Sequence, residues 1–208
     1  MAANGLVLVF DIDQTLSGEY FNPLNNPENK EPILNERLVS LLKEAVAARK
    51  PSGTVTAIFI LTNNGDGPFI TLIQKAYDKA VDRPDLPDVF ENTLSSRDES
   101  RTREIEEDLN SRLGKGLKDV KFMMDQVGKS TDNLASRVFF FDDMEHLMRQ
   151  ELTDPRQYIK ITPPFDGVTP DLTDVSFVLS KIRGQKTGGK RKRTRKTRRR
   201  TRRGKRRA

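Results

Sequence analysis

The chain alternates short, continuous apolar runs with longer segments in which apolar residues recur every three or four positions. Continuous runs with β-branched residues are typical of strands buried in a parallel sheet, and the three- and four-residue spacing is typical of helices. The predicted strands are 5–10, 54–61, 137–141 and 157–161. The predicted helices are 32–49, 69–81, 100–113, 117–127 and 171–182. Alternating strands and helices predict an α/β fold, a Rossmann-like parallel sheet flanked by helices.

Two segments interrupt this alternation. Residues 17–31 and 82–99 are rich in Pro, Asn and Asp. Such composition favours turns and irregular structure, because these residues hydrogen-bond locally or restrict the backbone. We therefore expect loops or small insertions there.

The formal net charge of +7 conceals two oppositely charged parts. Residues 186–208 contain 15 of the 37 lysines and arginines and no acid, so residues 1–185 carry a net charge of −8. The basic segment has no aliphatic side chain larger than Ala. It cannot bury enough apolar surface to offset the entropy of ordering, and we expect it to be disordered. The sequence thus predicts a folded domain at 1–185 and an Arg/Lys-rich tail at 186–208.

Composition also excludes several classes of function. The chain has no Cys and a single His, His146. Disulfide scaffolds, thiolate zinc sites and cysteine catalysis are excluded, and a Ser-His-Asp triad is disfavoured. No apolar run approaches the roughly 20 residues of a membrane span, and the N-terminus lacks the basic start of a signal peptide. We expect an intracellular protein, cytoplasmic or nuclear, without membrane association.

Polar side chains follow the first three of the four predicted strands. Asp11 and Asp13 come after the first, Thr62 after the second, and Asp142 and Asp143 after the third. Each one alone would read as a turn or a helix cap. Together they should meet at the carboxyl edge of the sheet, where α/β proteins bind ligands. Carboxylates packed this closely need a cation, and an all-oxygen ligand set favours Mg²⁺.

This order of motifs resembles the haloacid dehalogenase superfamily of phosphatases, and distantly the RNA polymerase II C-terminal-domain phosphatases. The shared elements are D-x-D-x-T, a Thr after the next core strand, a Lys, and Asp-Asp after a further strand. The resemblance implies that Asp11 is the nucleophile, forming an aspartyl-phosphate, and that Asp13 is the acid and base. It implies that Mg²⁺ is held by Asp11, the Asp13 carbonyl, Asp142 and Asp143. Thr62 would hydrogen-bond a phosphoryl oxygen.

The lysine implied by the resemblance has four candidates in this sequence: Lys115, Lys118, Lys121 and Lys129. The helix before the third core strand must start near the site and end at the opposite edge of the sheet. Lys129 follows the end of that helix and should not reach the site. We favour Lys118, because its Lys-Asp-Val setting resembles the Lys-Asp-Leu of the polymerase-tail phosphatases.

Some positions depart from the pattern of the superfamily. Gln14 stands where the polymerase-tail phosphatases have Glu, and Leu147 stands where many relatives have Asn. His146 could compensate, although we expect it on the surface of a helix. The segment between the first two motifs is short and mostly one helix. The resemblance therefore implies a minimal cap or none, unless residues 82–114 supply a small lid.

The tail predicts contact with a polyanion. Its 15 positive charges form an electrostatic footprint for nucleic acid, and the absence of aromatic residues argues against base stacking. A nuclear-localisation signal or a tether to the acidic domain are alternatives. Its composition resembles the basic tails of large DNA virus proteins, which implies a viral origin. The main expectation is a Mg²⁺-dependent phosphatase with a polyanion-binding tail. The alternative is a catalytically degenerate nucleic-acid-binding or packaging protein. Substrate identity and oligomeric state stay open.

Overall fold

A computed structural model describes most of the predicted domain. The described residues are 5–18, 32–50, 53–82, 88–98, 114–161 and 173–184. The predicted helix at 100–113, the tail at 186–208 and the boundary between domain and tail lie outside these ranges.

Five strands form one parallel sheet in the order β3-β2-β1-β4-β5. Their bounds are β1 Leu6–Phe10, β2 Val55–Leu61, β3 Asn92–Leu94, β4 Val138–Asp142 and β5 Tyr158–Lys160. The α/β class and the four predicted strands are confirmed. The prediction of loops or small insertions at 82–99 missed β3, which lies within this segment. This edge strand has three residues, of which only Leu94 is buried, so it has no apolar run to reveal it.

Helices cover both faces of the sheet. They are α1 Glu36–Ala48, α2 Gly67–Val81, α3 Leu117–Gln126, α4 Met148–Glu151 and α5 Ser176–Ile182. Leu8 and Phe10 of β1 pack into a cluster with α1, α2 and α5, whereas Val7 and Val9 pack with α3 and α4. Burial on both faces explains why the strands are apolar at every position. Within the described part of the chain, no helix combines the length and apolarity that crossing a membrane requires.

The strand order reverses at β1, so a crevice is expected at the carboxyl ends of β1 and β4. From β1 the chain runs outward through β2 to β3, and it then returns to the other side of β1 for β4 and β5. β1 and β4 lie side by side, with Phe10 paired to Phe141, and the amide of Asp11 donates to the Phe141 carbonyl at 2.9 Å. Helices leave in opposite directions from such a switch point, and ligands bind in the resulting crevice. Asp11 and Asp142 therefore lie on its two sides.

Candidate carboxylate–lysine site

Three carboxylates converge at the carboxyl ends of β1 and β4. Asp11, Asp142 and Asp143 each offer an oxygen, and these atoms lie within 4.8 Å of one another. Asp142 ends β4 and is fully buried, and Asp11 is only 6 % exposed. The structure thus brings together the three side chains that the sequence predicted as metal ligands. Carboxylates this close repel one another, so their burial requires positive charge nearby.

Lys115 supplies part of that charge. Its side chain is 1 % exposed, and its Nζ lies 2.6 Å from Oδ1 of Asp11 and 2.6 Å from Oδ2 of Asp142. The contact with Asp142 is also a hydrogen bond, whereas Oδ1 of Asp11 accepts none from the described residues. One ammonium group therefore bridges the carboxylates on the two sides of the crevice.

The preference for Lys118 is corrected by this geometry. Lys118 lies on the first turn of α3 with an exposed side chain, and Lys121 is also exposed. Lys129 donates to the carbonyl of Thr56 near the start of β2, at the opposite edge of the sheet, as its position predicted. Lys115 precedes α3, where the chain passes over the strand ends. The lysine that reaches the carboxylates thus lies just before α3, three residues before Lys118.

The backbone around Lys115 is held mainly by α4 and by α3. The Lys115 carbonyl accepts from the amide of Met148 at 3.0 Å, and the Leu117 amide donates to Oε2 of Glu151 at 2.6 Å. The Gly116 amide donates to the Asp119 carboxylate at 2.9 Å. A Cβ on Gly116 would lie 3.1 Å from Oε2 of Glu151, so this close approach favours glycine. These contacts fix the backbone from which the Lys115 side chain extends.

Asp13 lies at the mouth of the site and is held by the loop after β2. Asn64 Nδ2 lies 3.2 Å from Oδ1 and 3.3 Å from Oδ2 of Asp13, and the Asn64 amide donates to Oγ1 of Thr62 at 3.0 Å. Gln14 follows Asp13 in the left-handed region with φ 56° and turns the chain away. The motif pattern predicts a role for Thr62 in this loop and none for Asn64. The structure shows that Asn64 links the two segments.

Burial dominates the electrostatics of these carboxylates. It raises the pKa of Asp11 to about 6, against the lowering effect of the Lys115 charge. Burial also raises the pKa of Asp13 and of Asp143, and the Asp142 charge adds to the latter effect. Burial acts on Asp142 too, but the hydrogen bond from His146 and the Lys115 charge together lower its pKa. A further cation would stabilise the remaining negative charge, and the all-oxygen donor set fits Mg²⁺.

His146 points toward this cluster. Its Nε2 lies 3.4 Å from Oδ1 of Asp142, its side chain is 11 % exposed, and its ring packs edge-on against Phe140. The expectation of a surface helix position is therefore wrong: His146 precedes α4, and its side chain faces inward. Leu147 is 50 % exposed. The histidine, and not the position after it, contacts the Asp142 carboxylate.

The site combines a buried carboxylate beside a lysine, a second carboxylate at the mouth and a hydroxyl on the neighbouring loop. These groups match the requirements of phosphoryl transfer, which needs a nucleophile, a proton donor and positive charge around the phosphate. No family model, curated protein or solved structure matches this chain. The functional conclusion therefore depends on the chemistry of these side chains.

Proposed function

We propose that this protein is a Mg²⁺-dependent phosphomonoester hydrolase of the haloacid dehalogenase type, acting through an aspartyl-phosphate on Asp11. The observation that carries the proposal is the buried Lys115 between Asp11 and Asp142, with Asp143 beside them. One lysine cannot neutralise three carboxylates. A structural role alone would favour apolar residues here, because burying unbalanced charge is costly. A cation-dependent reaction at the switch point accounts for the arrangement.

The residues placed to hold Mg²⁺ are Asp11, Asp142 and Asp143, together with the backbone carbonyl of Asp13. The ion would neutralise charge between an anionic nucleophile and an anionic phosphate. His146 contacts Asp142, and Lys115 contacts both Asp11 and Asp142. Such supporting contacts normally hold metal ligands in position.

The first half of the reaction forms the covalent intermediate. A carboxylate oxygen of Asp11 attacks phosphorus in line, and the bond from phosphorus to the leaving oxygen breaks. Asp13 donates its proton to that leaving oxygen. The raised pKa of Asp13 is consistent with a carboxyl that carries a proton before transfer. Thr62 donates a hydrogen bond to a phosphoryl oxygen.

The second half regenerates the enzyme. Asp13, now a carboxylate, accepts a proton from a water molecule as the water oxygen attacks phosphorus. The bond between phosphorus and Asp11 breaks, which releases inorganic phosphate and restores both carboxyl groups to their starting states. The two hydrogen bonds from Asn64 hold Asp13 in one place for both proton transfers.

Removal of Mg²⁺ tests this proposal directly. Hydrolysis of phenyl phosphate is expected to fall by at least about 10²-fold in EDTA, because the clustered carboxylates would repel the substrate. Readdition of Mg²⁺ should restore the rate, and EDTA saturated with Mg²⁺ before addition is the control. The measurement is release of phenol. A rate that is indifferent to chelation would contradict the proposal.

We also propose that residues 186–208 bring the enzyme to a polyanion such as nucleic acid. If about 8–10 of the 15 charges contact phosphates, the logarithm of affinity should fall with the logarithm of salt concentration at a slope of roughly −7 to −9.

Fluorescence anisotropy of a labelled DNA duplex measures this slope for the full chain and for a chain ending at residue 185. The shortened chain should lose DNA binding and retain phenyl phosphate hydrolysis. Equal DNA binding by both chains would contradict the role of the tail. Tail-dependent binding without any turnover would favour the alternative of a degenerate binding protein.

A further inference from the structure

An arginine lies at the same edge of the sheet, beside the loop that holds Asp13. Arg97 follows β3, which runs parallel to β2, so both strands end at this edge. A Cβ on Gly65 would lie 2.9 Å from Nε and 3.0 Å from Cγ of Arg97. The arginine side chain therefore lies directly against Gly65. The preceding residue, Asn64, binds the Asp13 carboxylate.

The turn that carries Arg97 is ordered by its own hydrogen bonds. Ser95 Oγ donates to the Asp98 carboxylate at 2.9 Å, and the Arg97 amide donates to Ser95 Oγ at 3.3 Å. The arginine side chain is exposed. Among the described residues, no carboxylate forms an ion pair with its guanidinium, whereas Arg49, Arg149, Arg156 and Arg183 each have an acidic partner.

Lys115 and Arg97 thus differ in burial and in the groups that they can contact. Lys115 is buried and already bridges Asp11 and Asp142, so it is not available to the outer part of a substrate. Arg97 is exposed, and its planar guanidinium suits two-point recognition of a carboxylate or a phosphate. Gly65 directly follows Asn64, which binds Asp13, so Arg97 lies beside the loop that holds this carboxylate.

We propose that Arg97 binds a second anionic group on the substrate. This inference rests on the proposed phosphatase function. The preferred substrates are then phosphomonoesters that carry a further carboxylate or phosphate on the leaving group. Gly65 permits this position of Arg97, because a side chain at residue 65 would collide with the arginine. Arg97 acts on specificity, and it does not touch the reacting atoms.

Non-hydrolysable phosphonates test this inference without requiring turnover. Calorimetry in Mg²⁺ compares propylphosphonate, 3-phosphonopropionate and propane-1,3-bisphosphonate, which end in a methyl, a carboxylate and a phosphonate. The wild-type chain should bind both probes that carry a second anionic group more tightly than propylphosphonate. Arg97→Ala should lower the affinity for the two probes with a second anionic group by about fivefold and leave the affinity for propylphosphonate unchanged. Their relative losses distinguish a carboxylate site from a phosphate site.

Three further variants separate the position of the charge from its presence. Gly65→Ala retains the arginine but displaces its side chain, so it should reduce the same preference. Lys50→Ala removes an exposed cation after α1, at the opposite edge of the sheet, and should change no ratio. Arg97→Lys should retain part of the preference, because it keeps the charge and loses the planar fork.

The outcomes also separate this inference from the proposed function. An unchanged affinity ratio in Arg97→Ala would overturn the inference, even if phenyl phosphate is hydrolysed in an Asp11-dependent manner. A ratio that depends on Arg97 in a chain without Asp11-dependent hydrolysis would support the anion site and overturn the phosphatase. An equal loss for all three probes would also overturn the inference, since it would show damage to the phosphate site itself.

Discussion

Replacement of Asp11 by Asn is expected to lower phenyl phosphate hydrolysis by at least about 10³-fold, because the amide cannot form the aspartyl-phosphate. The fold should tolerate the change. Asn has nearly the same shape, and Asp142 remains to pair with Lys115. Initial rates in Mg²⁺ give the activity, and urea unfolding monitored by circular dichroism checks the fold.

Asp125→Asn is the matched control, since it makes the same chemical change on an exposed residue of α3. It should keep the wild-type rate. Rapid acid quenching followed by mass spectrometry should find one added phosphoryl group on the peptide containing Asp11 in the wild type, and none in Asp11→Asn. Hydrolysis that survives in Asp11→Asn would contradict the mechanism.

Replacement of Lys115 by Met is expected to destabilise the protein by about 3–5 kcal/mol, the range found when one partner of a buried ion pair is removed. Asp11 and Asp142 would lose the ammonium group that lies 2.6 Å from each of them. Lys118→Met is the control from the same stretch of chain, and its effect should stay within about 0.5 kcal/mol. The urea midpoint and slope measure both variants.

The effect of Mg²⁺ on stability is a second test of the Lys115→Met variant. Because Mg²⁺ would bind the folded site, it should raise the stability of Lys115→Met in proportion to the logarithm of its concentration. Activity should stay low even in saturating Mg²⁺, since the lysine also offsets charge around the nucleophile. A Lys115→Met protein with the wild-type urea midpoint would contradict the placement of this lysine among the carboxylates.

The main elements of the fold could be predicted because the sheet is buried on both faces. The strands at 55–61 and 138–142 consist almost wholly of apolar residues, which leaves little ambiguity. β3 could not be predicted, since an edge strand of three residues with two half-buried polar side chains has no periodic signal. The start of α1 at Glu36 depends on Asn35, whose side chain accepts from two backbone amides, and not on Pro32.

The carboxylates of the site could be predicted because each lies at the carboxyl end of a strand or within three residues after it, so topology alone brings them together. Lys115 and His146 could not be placed in this way. Both lie in irregular segments, and their side-chain directions depend on tertiary contacts such as the one from Met148 to Lys115. Sequence spacing describes neighbours along the chain, whereas these two residues are positioned by neighbours across it.

The contacts described for the site fall into two structural units. One unit joins Lys115 to the segment after β4, through Met148 and Glu151. The other joins Asp13 to the loop after β2, through Asn64. The contacts described for the first unit come from α3 and α4, and those of the second come from the loop after β2, so a substitution in one unit leaves the hydrogen bonds of the other in place.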